Sequence, residues 1–324
     1  MSRLISNIID LIDQKQNILL SSHVGPDGDS LGSQMAFYLY LKSLGKNVWI
    51  YNEGHIPHYF SNFTTIEQVV TEPDKWLVPE SGFDLAIIFE CTSLDRIGDV
   101  KNLVSDGMEI INIDHHLENS EYGRYNYVDT GASSVGEMIL RIFKRADFLP
   151  DINVATFLYI AILTDTGRFH FSSTTPDALR AAADLVEVGL DVKDITDKIY
   201  YCATKEQMRL TTKVVADMEL FYDNQVCILT LRRSALNKYG LKYGDVEGLV
   251  EWTMRIKGVK IGALLKDKED NFTKISLRSQ GNMDVYKLAQ FFNGGGHMNA
   301  AGCQIETDLD SAKEQLVNKI KELL

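Results

Sequence analysis

The chain has 324 residues, enough for two domains that each bury a core. Its 45% hydrophobic and 24% charged content is that of an ordinary globular protein rather than a disordered one. A formal charge of −12, from 33 basic and 45 acidic residues, argues against a protein that wraps long nucleic acid, because that affinity comes from massed Lys and Arg.

The 4 cysteines (Cys91, Cys202, Cys227, Cys303) are far apart and form no CxxC pair. That spacing offers neither a zinc framework nor a disulfide scaffold. Residues 1–16 have the pattern of a charged amphipathic helix, not of a signal peptide. No apolar run approaches the ~20 residues needed to cross a bilayer. The expectation is a cytoplasmic protein without a membrane partner.

In chain order, residues 17–22 are expected as a strand, 30–44 as a helix stopped by Gly45, and 47–51, 84–89 and 109–113 as three further strands. Residues 133–143 and 153–163 follow as helices. Short buried runs alternating with helices predict an α/β fold with a parallel sheet. The pattern then changes. Residues 192–219 read as one polar helical stretch, 226–231, 260–265 and 272–277 as strands, and 309–323 as a closing amphipathic helix. The expected organisation is a first domain over 1–190, a helical connector over 191–210, and a smaller α/β domain over 211–324.

Each of four polar clusters in the first half follows an apolar segment. The first is His23-Val24-Gly25-Pro26-Asp27-Gly28-Asp29, where Gly25, Pro26 and Gly28 enforce a turn that lets His23, Asp27 and Asp29 converge. Glu90 follows Leu85–Phe89, Asp114-His115-His116 follows Ile111–Ile113, and Asp165 lies in Thr164-Asp165-Thr166-Gly167. In a parallel sheet, residues at the carboxyl ends of several strands meet in one crevice. So many carboxylates in one place are costly unless cations compensate them. Mixed His and carboxylate donors without thiolates suit Mn²⁺, Mg²⁺, Fe²⁺ or Co²⁺ better than a structural zinc. Any one Asp at a strand end is ordinarily a cap or a solvated turn residue; it is the coincidence of four such clusters that points to metal.

These strings, with Gly294-Gly295-Gly296-His297-Met298-Asn299-Ala300-Ala301-Gly302 near the end, resemble the DHH phosphoesterase superfamily and its DHH-associated C-terminal domain. Motif order and spacing look most like the small bacterial nanoRNase/pAp-phosphatase branch. The resemblance implies a two-metal phosphoesterase with its site in the cleft between the domains. His23 and Asp27 would hold one ion, Asp29, His115 and Asp165 the other, and Glu90 stands where the family has a bridging aspartate. Asp114 would orient an imidazole and His116 would contact the scissile phosphate. Arg96 is a further phosphate-contact candidate. In the second domain Arg278 matches the substrate-facing strand, and the Gly294, Gly295, Gly296, His297 loop would bring backbone amides to a phosphate. Glu90 in place of Asp and Asn293 in place of a further glycine depart from the family pattern.

The implied cofactors are two divalent cations, Mn²⁺ first, with Mg²⁺ or Co²⁺ as substitutes. The implied partners are short RNA oligonucleotides, dinucleotides or 3′-phosphoadenosine 5′-phosphate, and the chain is a candidate homodimer. Two other functions compete. One is a pyrophosphatase or exopolyphosphatase of the same superfamily; the other is a silent nucleotide sensor in which Glu90 has spoiled the bridge. The segment 251–280 carries an excess of positive charge in an acidic chain, which suits a phosphate-attracting face or a solvated sheet surface. Arg168 is a second arginine that follows a metal motif, while His55, His58 and His170 are expected to be packed or surface histidines.

Overall fold

The computed structural model describes residues 2–246, 248–269 and 271–323, apart from the side chains at 268, 269 and 297. The chain divides into two compact units, Met1–Cys202 and Ala203–Leu324.

In chain order the first unit contains α1 (Ser2–Asp13), β1 (Asn17–Ser22), α2 (Gly28–Ser43), β2 (Asn47–Tyr51), β3 (Val69–Val70), β4 (Leu85–Phe89), β5 (Glu109–Asp114) and β6 (Tyr125–Val128). It ends with α3 (Val135–Arg145), α4 (Ile152–Asp165), α5 (Pro176–Glu187) and α6 (Val192–Tyr200). The six strands form one sheet in the order β3-β2-β1-β4-β5-β6, and every pairing is parallel. Alternate residues of β1 and β4 serve opposite faces. Ile18, Leu20, Leu85, Ile87 and Phe89 join the large core under the helices. Leu19, Ala86 and Ile88 pack with Tyr51, Phe83, Ile97 and Val100 on the other side. Burial on both faces is why these strands read as continuous apolar runs.

This strand order reverses direction between β1 and β4. At such a switch point the loops leaving neighbouring strands run to opposite sides and open a crevice at the carboxyl ends. His23 follows β1, Glu90 follows β4, and His115 follows β5.

The second unit contains α7 (Lys205–Ala216), β7 (Glu219–Phe221), β8 (Val226–Leu231), α8 (Arg233–Tyr239), β9 (Ile261–Glu269) and β10 (Phe272–Ser279). After these come α9 (Val285–Phe291), β11 (Gly295–His297), β12 (Ala300–Ile305) and α10 (Leu309–Lys321). Its sheet has the order β11-β12-β10-β9-β8-β7 and is mixed: β8 and β9 are parallel, the other pairs antiparallel.

Two expectations change here. The single helical stretch expected over 192–219 is two helices, broken at residues 201–204, where Thr204 caps α7 in a reciprocal capping box with Gln207. The glycine-rich segment is not simply a loop: Gly295–His297 is an edge strand in a tight hairpin with β12. Gly294 fits because a Cβ there would lie 2.1 Å from the Gly302 carbonyl oxygen, and Gly296 has φ +135°.

Candidate metal centre

Close helix packing brings the acidic residues together. Asp27 is the N-cap of α2 and its Oδ1 accepts the Ser30 N–H at 3.0 Å. α2 lies against α4 through residues with little or no side chain. A Cβ at Gly32 would come within 2.6 Å of the Phe157 carbonyl oxygen, and one at Gly28 would strike the side chain of Thr164. That approach sets Asp29, in the first turn of α2, beside Asp165 at the end of α4.

Asp29 is buried and its carboxylate serves a second helix. Oδ2 accepts the Val135 N–H at 2.6 Å and Oδ1 the Gly136 N–H at 2.9 Å, with Ser33 Oγ donating to Oδ1 at 2.9 Å. The exposed backbone donors and positive end of α3 favour a carboxylate there.

Glu90 is 2% exposed and has φ +55°, a conformation unusual for a residue with a side chain. Its N–H still bonds the Ile113 carbonyl at 3.0 Å, so the reversal comes immediately after the ladder with β5. Its Oε1 lies 2.8 Å from His115 Nε2 and 3.8 Å from His116 Nδ1, and Oε2 lies 4.0 Å from His23 Nε2. Local strain of this kind costs about 1–3 kcal/mol and persists where the surroundings enforce it.

The imidazoles are oriented by backbone carbonyls. His23 Nδ1–H donates to the Val24 carbonyl at 3.1 Å, and His115 Nδ1–H to the Ala132 carbonyl at 3.2 Å. In each ring this turns Nε2 toward the carboxylates, and His115 Nε2 also lies 3.6 Å from Asp165 Oδ2. Three sets of donor atoms lie within 4.8 Å of one another: His23, Asp27 and Glu90; Asp29, His115 and Asp165; Glu90, His115 and His116. All six residues expected to hold metal are therefore gathered in one place, and Glu90 is common to two of the sets.

The electrostatics are those of a site built around positive charge. Burial, followed by the charges of Asp29 and Asp27, pushes the Glu90 carboxyl well above its ordinary range. Burial also raises Asp29, despite the opposing pull of His115. His115 is held well above an ordinary imidazole, because the carboxylates of Asp165 and Glu90 outweigh the effect of burial. Burial lowers His23, with Arg96 and His116 adding to it against Asp27. Without cations the cluster must bind protons instead, and the donor set of carboxylates and imidazoles fits divalent ions.

Asp114 sits directly behind the site, fully buried. Its Oδ1 accepts His116 Nδ1–H at 2.8 Å and the His116 N–H at 3.2 Å, while Oδ2 accepts Asn119 Nδ2 at 2.6 Å. Burial alone would raise this carboxyl, but the His116 and Asn119 bonds override it and hold it at about 2. Arg96 is exposed, and its backbone carbonyl accepts the Val24 N–H at 2.8 Å, next to His23.

Several contributors carried no obvious sequence signal. Asn119 and the backbone of Ala132, Val135 and Gly136 orient residues of the centre. The one local clue was Ser134-x-x-Glu137, since Ser134 caps α3 by accepting the Glu137 N–H at 3.1 Å. A buried group beneath β1 was missed as well: Asn52 accepts the Ser22 N–H at 3.1 Å and donates to Gln34 Oε1 at 2.9 Å.

In the second unit, Arg278 lies on β10 opposite Gly262 and Ala300, and its Nε donates to Glu251 at 2.7 Å. Gly294, Gly295 and Gly296 lie at or in the edge strand already described, and the side chain of His297 is outside the described residues.

An α/β unit with a cluster of carboxylates and imidazoles at its sheet switch point defines a metal-binding protein of the doubly wound type. Residues 17–162 match the DHH family N-terminal domain and residues 223–324 the DHHA1 domain. Both the DHH and the DHHA1 domain are thus present in the chain. It is 28% identical over 324 residues to the bifunctional oligoribonuclease and PAP phosphatase NrnA of Thermus thermophilus, covering 99% of this chain and 94% of that one. It is 26% identical over 303 residues to the protein of the same name from Bacillus subtilis, covering 93% of each. Among solved structures, an exopolyphosphatase-related protein from Bacteroides fragilis superposes with a TM-score of 0.89 at 27% identity, over 99% of this chain and 96% of that one. Among the described residues, no helix is long and apolar enough to cross a membrane.

Proposed function

We propose that the chain is a two-metal phosphoesterase that hydrolyses short oligoribonucleotides and dinucleotides, and 3′-phosphoadenosine 5′-phosphate. The observation that carries this reading is the sharing of Glu90 between neighbouring donor groups. His23, Asp27 and Glu90 would hold one divalent ion, and Asp29, His115 and Asp165, with Glu90, the other. Four carboxylates balance the charge of two such ions. Mn²⁺ is the expected occupant, with Mg²⁺ and Co²⁺ as substitutes, because the donors combine imidazole and carboxylate without thiolate. When bound, a pair of ions supplies a hydroxide at neutral pH and stabilises charge on the leaving oxygen.

The protein's own groups do the rest. Asp114, held ionised, keeps a proton on His116 Nδ1 and fixes that ring toward Glu90. His116 then serves as a fixed contact for the scissile phosphate, and Arg96 neutralises a phosphate oxygen beside His23. Arg278 and the backbone of Gly294, Gly295 and Gly296, with His297, are assigned to the far end of the nucleotide. The two NrnA relatives carry oligoribonuclease and PAP phosphatase in their names, and their full-length similarity supports this choice of substrate.

The test is hydrolysis of 3′-phosphoadenosine 5′-phosphate, a dinucleotide, a 5-mer RNA, a 24-mer RNA, pyrophosphate and polyphosphate, each with Mn²⁺. Preference for the short nucleotides is expected. Equal or faster turnover of polyphosphate would shift the reading toward the activity named for the Bacteroides relative. Tight nucleotide binding without turnover under any ion would make the chain a sensor.

A further inference from the structure

Behind the centre lies a second polar cluster that neither the donor groups nor the substrate reading uses. Glu137, in the first turn of α3, is 2% exposed. Its Oε2 accepts both the N–H and the Oγ–H of Ser133, at 2.9 and 2.8 Å, and its Oε1 is paired with Arg141 one turn further along. Arg141 reaches back to Asp129 Oδ2 at 2.6 Å, and Asp129 Oδ1 accepts the Gly131 N–H at 3.1 Å. Residues 129–134 are thus tied to α3 at both ends by one ion network. Ser133 and Ser134 have no solvent exposure.

Burying the Glu137 carboxylate in such a network gains little stability, because its desolvation offsets most of the attraction to the partly exposed Arg141. What this one holds still is informative. The Ala132 carbonyl, next to Ser133, accepts His115 Nδ1–H at 3.2 Å, and the Val135 and Gly136 N–H groups, next to Ser134, grip Asp29. Two side chains assigned to one ion are therefore oriented by backbone groups of a single segment. A shift of that segment turns the His115 ring and the Asp29 carboxylate together.

We propose that Glu137 and Arg141, acting through residues 129–136, are positioning residues that set the orientation of His115 and Asp29 for the ion those two share. Neither touches the ion or the substrate. The inference rests on the reading of Asp29 and His115 as metal ligands.

The variant Glu137→Gln tests it, since the amide keeps an acceptor for Ser133 but turns a donor toward the Arg141 guanidinium. Loss of partners that orient ligands typically lowers metal affinity 10–100-fold. In the full chain, Glu137→Gln is expected to weaken Mn²⁺ binding by about tenfold or more in titration calorimetry, and to alter the Mn²⁺ electron paramagnetic resonance spectrum. The control is Ile8→Val, a trim in the buried face of α1, which lowers the melting temperature yet leaves Mn²⁺ affinity within about twofold, since it removes packing and no ligand support. Wild-type affinity in Glu137→Gln, or equal weakening in both variants, overturns the proposal. If Glu137→Gln does not fold, Ser133→Ala, which deletes only the hydroxyl bond, is expected to show a smaller affinity loss of the same kind, and no loss in it overturns the proposal equally. Failure of the wild-type chain to bind Mn²⁺ would instead sink the metal reading itself.

Discussion

Replacing Glu90 by Gln separates the function of this residue from its cost to the fold. The wild-type carboxyl is buried, is pushed well above its ordinary range by burial and by Asp29 and Asp27, and sits on a backbone at φ +55°. A neutral amide of the same shape removes the cost of either charging or protonating this buried group at neutral pH and leaves the backbone strain. The metal-free variant is therefore expected to melt at a higher temperature than the metal-free wild type at pH 7. Metal reverses that order. An ion present at a hundred times its dissociation constant stabilises the folded state by about 2.7 kcal/mol per site. In a unit of this size each kcal/mol moves the melting temperature by roughly 2–4 °C, so two sites give roughly 10–20 °C. Because Glu90 shares one donor set with His23 and Asp27 and another with His115, itself a member of the Asp29 and Asp165 set, its loss is expected to reduce the shift to less than half. Differential scanning fluorimetry with EDTA and then with saturating Mn²⁺ measures both numbers. An unchanged metal-free melting temperature together with the full wild-type shift would refute the argument for a shared, charge-strained carboxylate.

Other consequences follow from the same geometry. Gly32→Ala places a methyl group within 2.6 Å of the Phe157 carbonyl oxygen and must push α2 from α4; a loss of about 1–3 kcal/mol in urea unfolding and weaker Mn²⁺ binding are expected. Asp114→Asn should lower kcat with little change in KM, since it releases the His116 ring without removing an ion ligand; unchanged kcat would contradict that role. Asp114 also predicts an acid dependence. Its pKa is depressed from 3.8 to about 2, so its stabilisation of the metal-free fold is complete above pH 4 and is lost as pH falls through about 2. The stability gap between wild type and Asp114→Asn, on the order of 2 kcal/mol at pH 6, should narrow as pH falls below 4 and close only below pH 2; a gap that stays constant across that range would show that the carboxylate's charge is not its source.

The clearest part of the sequence was the part governed by short-range pattern. Leu85–Phe89 is apolar without a break because β4 is central and covered on both faces, and Glu90 at its end was visible for the same reason. His23, Asp27 and Asp29 could be grouped because Gly25 and Pro26 force a turn within a few residues. The long-range uses of those side chains were hidden. That Asp29 caps α3 depends on Val135, more than a hundred residues away, and that His115 is held by Ala132 depends on a backbone carbonyl whose residue type carries no message. Gly294–Gly296 looked like a loop because their strand character comes from the fit of Gly294 against β12, which no local preference encodes. The break before α7 and the helix α5 were legible after all. Thr204-x-x-Gln207 is a capping box, and Thr175-Pro176-Asp177 is a helix start, with Thr175 capping and Pro176 at the first position.

The central claim is two ions on one centre, joined through Glu90. Its most direct test is the stoichiometry and magnetic coupling of Mn²⁺ bound to the full wild-type chain, by metal analysis after dialysis and by electron paramagnetic resonance. Two ions per chain with the spectrum of an exchange-coupled pair are expected. One ion per chain, or two with the spectrum of isolated Mn²⁺, would contradict the account.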